Sequence, residues 1–457
     1  MRQHTKWLRL LAILLGLSLF AAACGDDEDD SSGDESTEEG SGDDEGDGGE
    51  EEEDPAIAAL REVGDADPDC ESESDGTFRV GGLLAETGDL GDVLGAPQAA
   101  GATLAVQDIN AAGGVLGKDI VYEPKDSGDA DPDLATPAVA EHLQAGVDAI
   151  LGASASQISS NQIDTIVGEC TIMFSPSNTG PVFTTYDDND LYFRTAAADI
   201  LQGRVIAELA IEEGNEEAVI MARQDPYGEG LLTYIKSGFE EAGGEITGEV
   251  IYDPEATEFD TEIGEVVEAD PDALFLVGFN ETSTILSGLI EEGFTPEEKS
   301  IYFIEGNMGN AVGEAFTEQG VLTNIKGTIP GASVSDEFQN RMLEVDAGLG
   351  NFTYGPETYD ALVILALAAN AAGTDESAAV ARKINSVTRD GEKCTTYADC
   401  LALLQADPNA DIDYDGQSGP VDFAKPGEPT AANYGIYTWN EDNTVNTEAL
   451  EFKDVSL

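Results

Sequence analysis

The chain has 457 residues, 41% of them apolar, with 93 acidic against 20 basic residues and a net charge of −73. That length allows two or three domains with sizeable cores. The charge argues against nucleic acid, which is bound through clustered Lys and Arg, and against adsorption on anionic lipid surfaces.

In chain order, Arg2, Lys6 and Arg9 precede an apolar run over 10–20, followed by Ala21, Ala22, Ala23 and Cys24. The run is too short to span a bilayer comfortably, and residues 1–23 read as an export signal peptide. Small residues directly before a Cys look like a lipoprotein processing site, with Ala21 where Leu is usual. Cys24 would then carry a diacylglycerol thioether and become the mature N-terminus. Two or more acyl chains, at roughly 0.8 kcal/mol per buried methylene, hold where one would not. Residues 24–75 read as the lipidated Cys and a disordered acidic linker. Of the 30 residues in 25–54, 18 are acidic and none is basic, so little apolar burial can offset chain entropy. Self-repulsion extends such a segment. No later stretch reaches 18 consecutive apolar residues.

Order is expected from Thr77. Strands are predicted over 78–84, 120–124, 149–151, 171–174, 218–222, 245–252, 273–277 and 301–304. Helices are predicted over 96–111, 134–144, 200–213, 230–242 and 282–292. Short apolar runs alternating with amphipathic helices mean βαβ units and parallel sheets, and this many strands needs two sheets.

Five segments follow predicted strands, where open α/β sheets present ligand-binding loops. They are Leu84-Ala85-Glu86-Thr87-Gly88, Gly152-Ala153-Ser154-Ala155-Ser156, Phe174-Ser175-Pro176-Ser177-Asn178-Thr179, Asp225-Pro226-Tyr227-Gly228-Glu229-Gly230 and Glu305-Gly306-Asn307-Met308-Gly309-Asn310. A helix after the first leads to the run Ile109-Asn110-Ala111-Ala112-Gly113-Gly114-Val115-Leu116-Gly117. In this order and spacing, over roughly 77–440, the segments resemble the leucine/isoleucine/valine-binding protein family of periplasmic receptors. The resemblance implies the type I periplasmic binding-protein fold: two αβα lobes with parallel sheets, joined by three crossing strands. Lobe one would comprise 77–195 plus 330–416, and lobe two 196–329 plus 417–457. The crossings would fall near 193–195, 327–331 and 418–421.

The resemblance also implies roles. Ser156 would hold a ligand carboxylate through its hydroxyl, with Ser177 and Thr179 adding backbone groups and a hydroxyl. Aimed N–H and O–H dipoles at a helix N-terminus can hold an anion without a buried Arg. Tyr227 would close over the ligand from lobe two, and Glu305 would pair with its ammonium. Phe279 stands near a position where the family often has Tyr. The family's Trp in the first loop has no match, and Leu94 lies closest. Without the resemblance, Ser156 and Thr179 fit helix N-caps, Tyr227 fits core packing and Glu305 fits a solvated loop acid.

Asp411, Asp413, Asp415, Gly416 and Asp422 echo a calcium loop, but Pro420 and Val421-Asp422-Phe423 read as a strand where such a loop needs an exiting helix. No metal and no cofactor is expected. His142 is the one histidine after the signal peptide and reads as a mid-helix surface residue, which leaves no histidine for a triad in any of the loops. With no phosphate-cradling motif either, an enzyme is not expected. Four cysteines besides Cys24 sit in an exported chain, which points to disulfides: Cys394 with Cys400, and Cys70 with Cys170. The expected protein is a monomeric, lipid-anchored extracytoplasmic receptor that closes around an amino acid or similar small polar metabolite. It would deliver that ligand to an ABC permease and its ATPase. The alternatives are a sensor reporting to a signalling partner, and a secreted hydrolase.

Overall fold

A computed structural model describes residues 53–129, 132–331 and 334–457. The expected signal peptide, Cys24 and the linker up to residue 52 lie outside the described residues. Among the described residues, fourteen strands occur in the order β1 Arg79–Leu84, β2 Val121–Asp126, β3 Ala149–Gly152, β4 Ile172–Ser175, β5 Tyr192–Arg194, β6 Glu217–Arg223, β7 Glu245–Tyr252, β8 Ala273–Val277, β9 Ser300–Phe303, β10 Lys326–Pro330, β11 Glu392–Cys394, β12 Ile412–Tyr414, β13 Ala431–Trp439 and β14 Val445–Ser456.

Two large sheets result. The first has the order β2-β1-β3-β4-β5 and is parallel throughout. The second has the order β14-β13-β10-β9-β8-β6-β7, with β13 and β14 added antiparallel at one edge. Every residue of β3, β4 and β8 is buried, as expected for parallel strands covered by helices on both faces. The helix Gly355–Ala372 is apolar around its circumference and buried from Gly355 to Ala369. It packs against β3, β4 and the helix Ala96–Ala111, so the chain has returned to the first sheet by this point. The chain passes between the sheets three times: after β5, after β10 and again before β13. The α/β class expected from the sequence is the one observed.

The linker reading needs correction. Asp54 caps a short helix, Pro55–Leu60, through hydrogen bonds from the Ala56 and Ile57 N–H groups. Ala56 and Leu60 pack against Ala198, Ile200 and Ala424, at the first and third passages between sheets. The chain that follows is laced onto the first lobe. Arg389 reaches Asp65 at 2.8 Å, Arg382 donates to the Pro68 carbonyl at 2.6 Å, and Asp375 accepts from the Asp75 and Thr77 N–H groups. Acidic composition hid these contacts, because each uses a partner more than 290 positions away.

His142 also departs from expectation. It is fully buried, and its Nε2 lies 3.0 Å from the Gly82 carbonyl oxygen. Its ring fills the space where a Cβ on Gly81 would sit, which explains a glycine inside β1.

Both expected disulfides are present, Cys70–Cys170 and Cys394–Cys400, with Cα separations of 5.9 and 5.3 Å. The first spans 100 positions and fixes the laced segment to the turn before β4. The Cys70→Ser/Cys170→Ser double variant should lose ~2–5 kcal/mol in a denaturant titration. The pair at Cys394 and Cys400 closes only a short loop and should matter less. Equal losses from the two pairs would contradict this.

Candidate functional site

The loops at the carboxyl ends of both sheets converge on one cavity. Leu90, Leu94, Ser154, Ser156, Ser177 and Thr179 line it from the first lobe, and Tyr227, Phe279 and Glu305 from the second. Leu94, Ser156, Ser177, Thr179, Tyr227, Phe279 and Glu305, all seven residues expected at the site, are brought together there. Tyr354 also lines it, as do Asp129, Gln157 and Asp225, and was not anticipated.

The first-lobe end is built from N–H and O–H groups. Ser156 is the first residue of the helix Ser156–Gly168, so the helix dipole opens towards the cavity. The Ser156 Oγ accepts from the Gly180 N–H at 3.3 Å, which leaves its proton to donate elsewhere. Its neighbour Ala155 is the N-cap, so Ser156 is not spent on capping. Ser177 is different: its hydroxyl donates to the Ser154 carbonyl at 3.1 Å and accepts from Gln98 at 2.8 Å. Asn178 clamps the same turn through the Ala153 and Ser154 carbonyls at 3.0 and 2.9 Å. The third loop can therefore offer fixed backbone groups, while the Ser177 side chain is occupied.

The second-lobe end is aromatic and acidic. Tyr227 stacks on Phe279 with centroids 5.6 Å apart. The Arg223 guanidinium carbon lies 3.6 Å from the Phe279 ring centroid and is held by Asp225 at 2.6 Å and Glu281 at 3.0 Å. Arg223 thus orients the aromatic wall, a role that no motif in the chain signals. Glu305 begins a tight turn, Glu305–Asn307, which Asn307 pins by accepting from the Ile304 N–H and donating to the Leu276 carbonyl, both at 2.8 Å. A Cβ on Gly306 would lie 2.8 Å from both the Gly278 carbonyl oxygen and the Tyr227 hydroxyl, so only glycine lets these loops close.

Glu305 is buried and accepts a hydrogen bond from Gln202. Burial lifts its carboxyl to about 7, although Gln202 and Tyr227 favour the ionised form. Asp199, also buried, is raised well above the usual carboxylate range by burial and by the Glu305 charge. Beside it Arg194 is fully buried and pairs with Glu428, while also donating to the Gly180 carbonyl at 2.9 Å and the Thr184 hydroxyl at 3.0 Å. Asp199, Gln202, Arg194 and Tyr354 were not legible as site residues, because none lies in a loop with a recognisable motif. The echo of a calcium loop is answered by Lys393, whose ammonium sits 3.0 Å from Asp413 and 2.9 Å from Asp415. Among the described residues no cluster of His, Cys, Asp and Glu could hold a metal ion.

The family model described as periplasmic binding protein matches residues 77–444. The chain belongs to that family. Among curated members, it is 26% identical over 362 residues to the chemotactic signal transduction system substrate-binding protein BasB of Halobacterium salinarum, covering 77% of this chain and 84% of that one. It is 30% identical over 168 residues to the leucine-, isoleucine-, valine-, threonine- and alanine-binding protein of Pseudomonas aeruginosa; that match covers 36% of this chain and 42% of that protein. Among solved structures, the branched-chain amino acid transporter substrate-binding protein LivJ of Streptococcus pneumoniae, in complex with isoleucine, superposes with a TM-score of 0.65. The identity is 21%, over 83% of this chain and 100% of that one. The structural match establishes the fold, two lobes around a cleft, in which this family member's cavity lies.

Proposed function

We propose that this protein is the solute-binding lipoprotein of an ABC importer, and that it captures an amino acid of branched-chain type or a similar zwitterion by hinge closure. The observation that carries this reading is the polarity of the cavity. One end, at the N-terminus of the Ser156 helix, is an array of O–H and N–H groups suited to a carboxylate. The other end is a buried carboxylate, suited to an ammonium. Between them lie Leu90, Leu94, Tyr227 and Phe279, suited to an aliphatic side chain. In this reading lobe one holds the ligand through Ser156, Thr179 and the backbone at Ser177, and lobe two closes with Tyr227 and Glu305.

A thermal-shift screen of the purified protein against the standard L-amino acids, amides and aromatic carboxylic acids tests this. An amino acid at 100 times its Kd should add ~2.7 kcal/mol of stability. A response to aromatic acids with none to amino acids would overturn the ligand assignment. The anchor is tested separately: Cys24→Ser should release the protein from the membrane fraction or leave it unprocessed. A wild-type protein found wholly in the medium would refute the anchor.

A second reading, a receptor that reports its ligand to a signalling partner, is favoured by the similarity to BasB along most of the chain. Co-purification with a permease or with a chemoreceptor separates the two.

A further inference from the structure

Behind the aromatic wall, the polar groups outnumber their partners. Asp199 opens the helix Asp199–Glu212 and is wholly buried, with the Thr179 hydroxyl near enough to favour its ionised form. Its N–H donates to the Thr179 carbonyl at 2.9 Å, which sets it directly behind a residue lining the cavity. Gln202 lies three residues further along the same helix face and donates to Glu305. Glu305 therefore rests against the face that carries Asp199. The Tyr354 and Tyr434 hydroxyls and the Gln202 Oε1 are buried without partners.

We propose that Asp199 and Glu305 together form the cation-reading end of the cavity: in the empty site they hold one proton between them, and the ligand's ammonium takes that proton's place. This rests on the amino-acid reading above. At this end of the cavity the exchange is one positive charge for another, so its charge does not change on binding; the ligand's carboxylate is received at the other end, and the proton goes to water. Asp199 is a positioning residue in this scheme, acting through Glu305 by setting how firmly the pair keeps its proton.

The groups facing the pair are consistent with such an exchange. Burial favours the protonated state at both, and the Glu305 and Asp225 charges add to this at Asp199. Arg194 and the Thr179 hydroxyl oppose it at Asp199, and Gln202 and Tyr227 oppose it at Glu305. Arg194 is committed to Glu428, and Asp225 to Arg223 and the Gly228 N–H. Burial keeps Tyr227, Tyr354, Tyr434 and Tyr437 protonated, and Glu357, beyond Tyr354, is itself raised to about 8 by burial.

The test is calorimetric titration of the whole protein with the L-amino acid giving the largest shift in the screen, in two buffers of different ionisation enthalpy, from pH 5.5 to 8.5. Binding should release up to one proton per ligand near pH 6, and affinity should fall by about tenfold per pH unit below neutrality. Asp199→Asn gives Glu305 an amide neighbour in place of an acid. Burial still raises Glu305 in this variant, but no second acid shares the proton, so the pH at which affinity begins to fall should move and the proton count at pH 7 should differ from the wild type. An Asp199→Asn variant weakened equally at every pH, with the wild-type slope, would reduce Asp199 to a packing role and overturn the inference. Proton counting on the wild type decides independently of any variant. If an amino acid binds without releasing a proton, this inference alone fails. If no amino acid binds, the functional reading fails and takes this inference with it.

Discussion

Glu305→Gln should lower the affinity for an amino acid by roughly ten- to a hundredfold, because a charge-assisted hydrogen bond worth about 1.5–3 kcal/mol is replaced by a neutral one. The substitution keeps the shape of the side chain. Its turn is pinned by Asn307 rather than by the carboxylate, so the fold should tolerate it. Gln202 would meet an amide instead of a carboxylate, a change the Gln202 side chain can answer by rotating its own amide. The loss should therefore appear in binding, with little change in unliganded stability. Ser156→Ala should weaken binding of any carboxylate ligand, with or without an amine, so the two variants separate the two ends of the cavity. Isothermal titration of both measures this. Unchanged amino-acid affinity in Glu305→Gln would show that this loop does not meet the ammonium.

The largest stability effect is expected at Glu428. Arg194 and Glu428 are 0% and 2% exposed, and the guanidinium also supports the Asn178 and Gly180 carbonyls and the Thr184 hydroxyl. Glu428→Ala leaves a buried cation without its counter-charge, which typically costs about 3–5 kcal/mol. Replacing both partners with apolar residues would ordinarily recover most of that. Here it should not, because Arg194→Met with Glu428→Leu also strips the donors from three acceptors in and after the third loop. The expected result is two destabilised variants in urea titrations without ligand, with the double variant also weakened in ligand binding. A double variant as stable as the wild type would show that Arg194 serves only its partner.

The sequence carried the scaffold well and the cavity unevenly, for physical reasons. Runs such as Ala273–Val277 are buried on both faces and so read as continuous apolar stretches. Loop residues such as Tyr227 and Glu305 follow those strands directly, and their order along the chain marked them. Asp199, Gln202 and Arg194 act through neighbours far away in sequence, and no spacing rule links Gln202 to Glu305 across 103 positions. The helix Pro55–Leu60 did have a local signal, an Asp-Pro start before an apolar run, but the acidic stretch before it drew that segment into the linker. His142 was misplaced because one histidine on a helix says nothing of the glycine strand packed against it.

Helix Pro55–Leu60 sits beside Ala198, Ile200 and Ala424, where the chain passes between lobes, and Asp54 also accepts from the Tyr234 hydroxyl of the second lobe at 3.0 Å. When two jaws turn about an axis, displacement grows with distance from it, so atoms at the axis travel least. In the proposed closure, helix Pro55–Leu60 would therefore be among the parts that travel least. A pull on this helix would have a short lever arm and exert little torque on either jaw, so the proposed tether and the proposed opening and shutting would make almost independent mechanical demands.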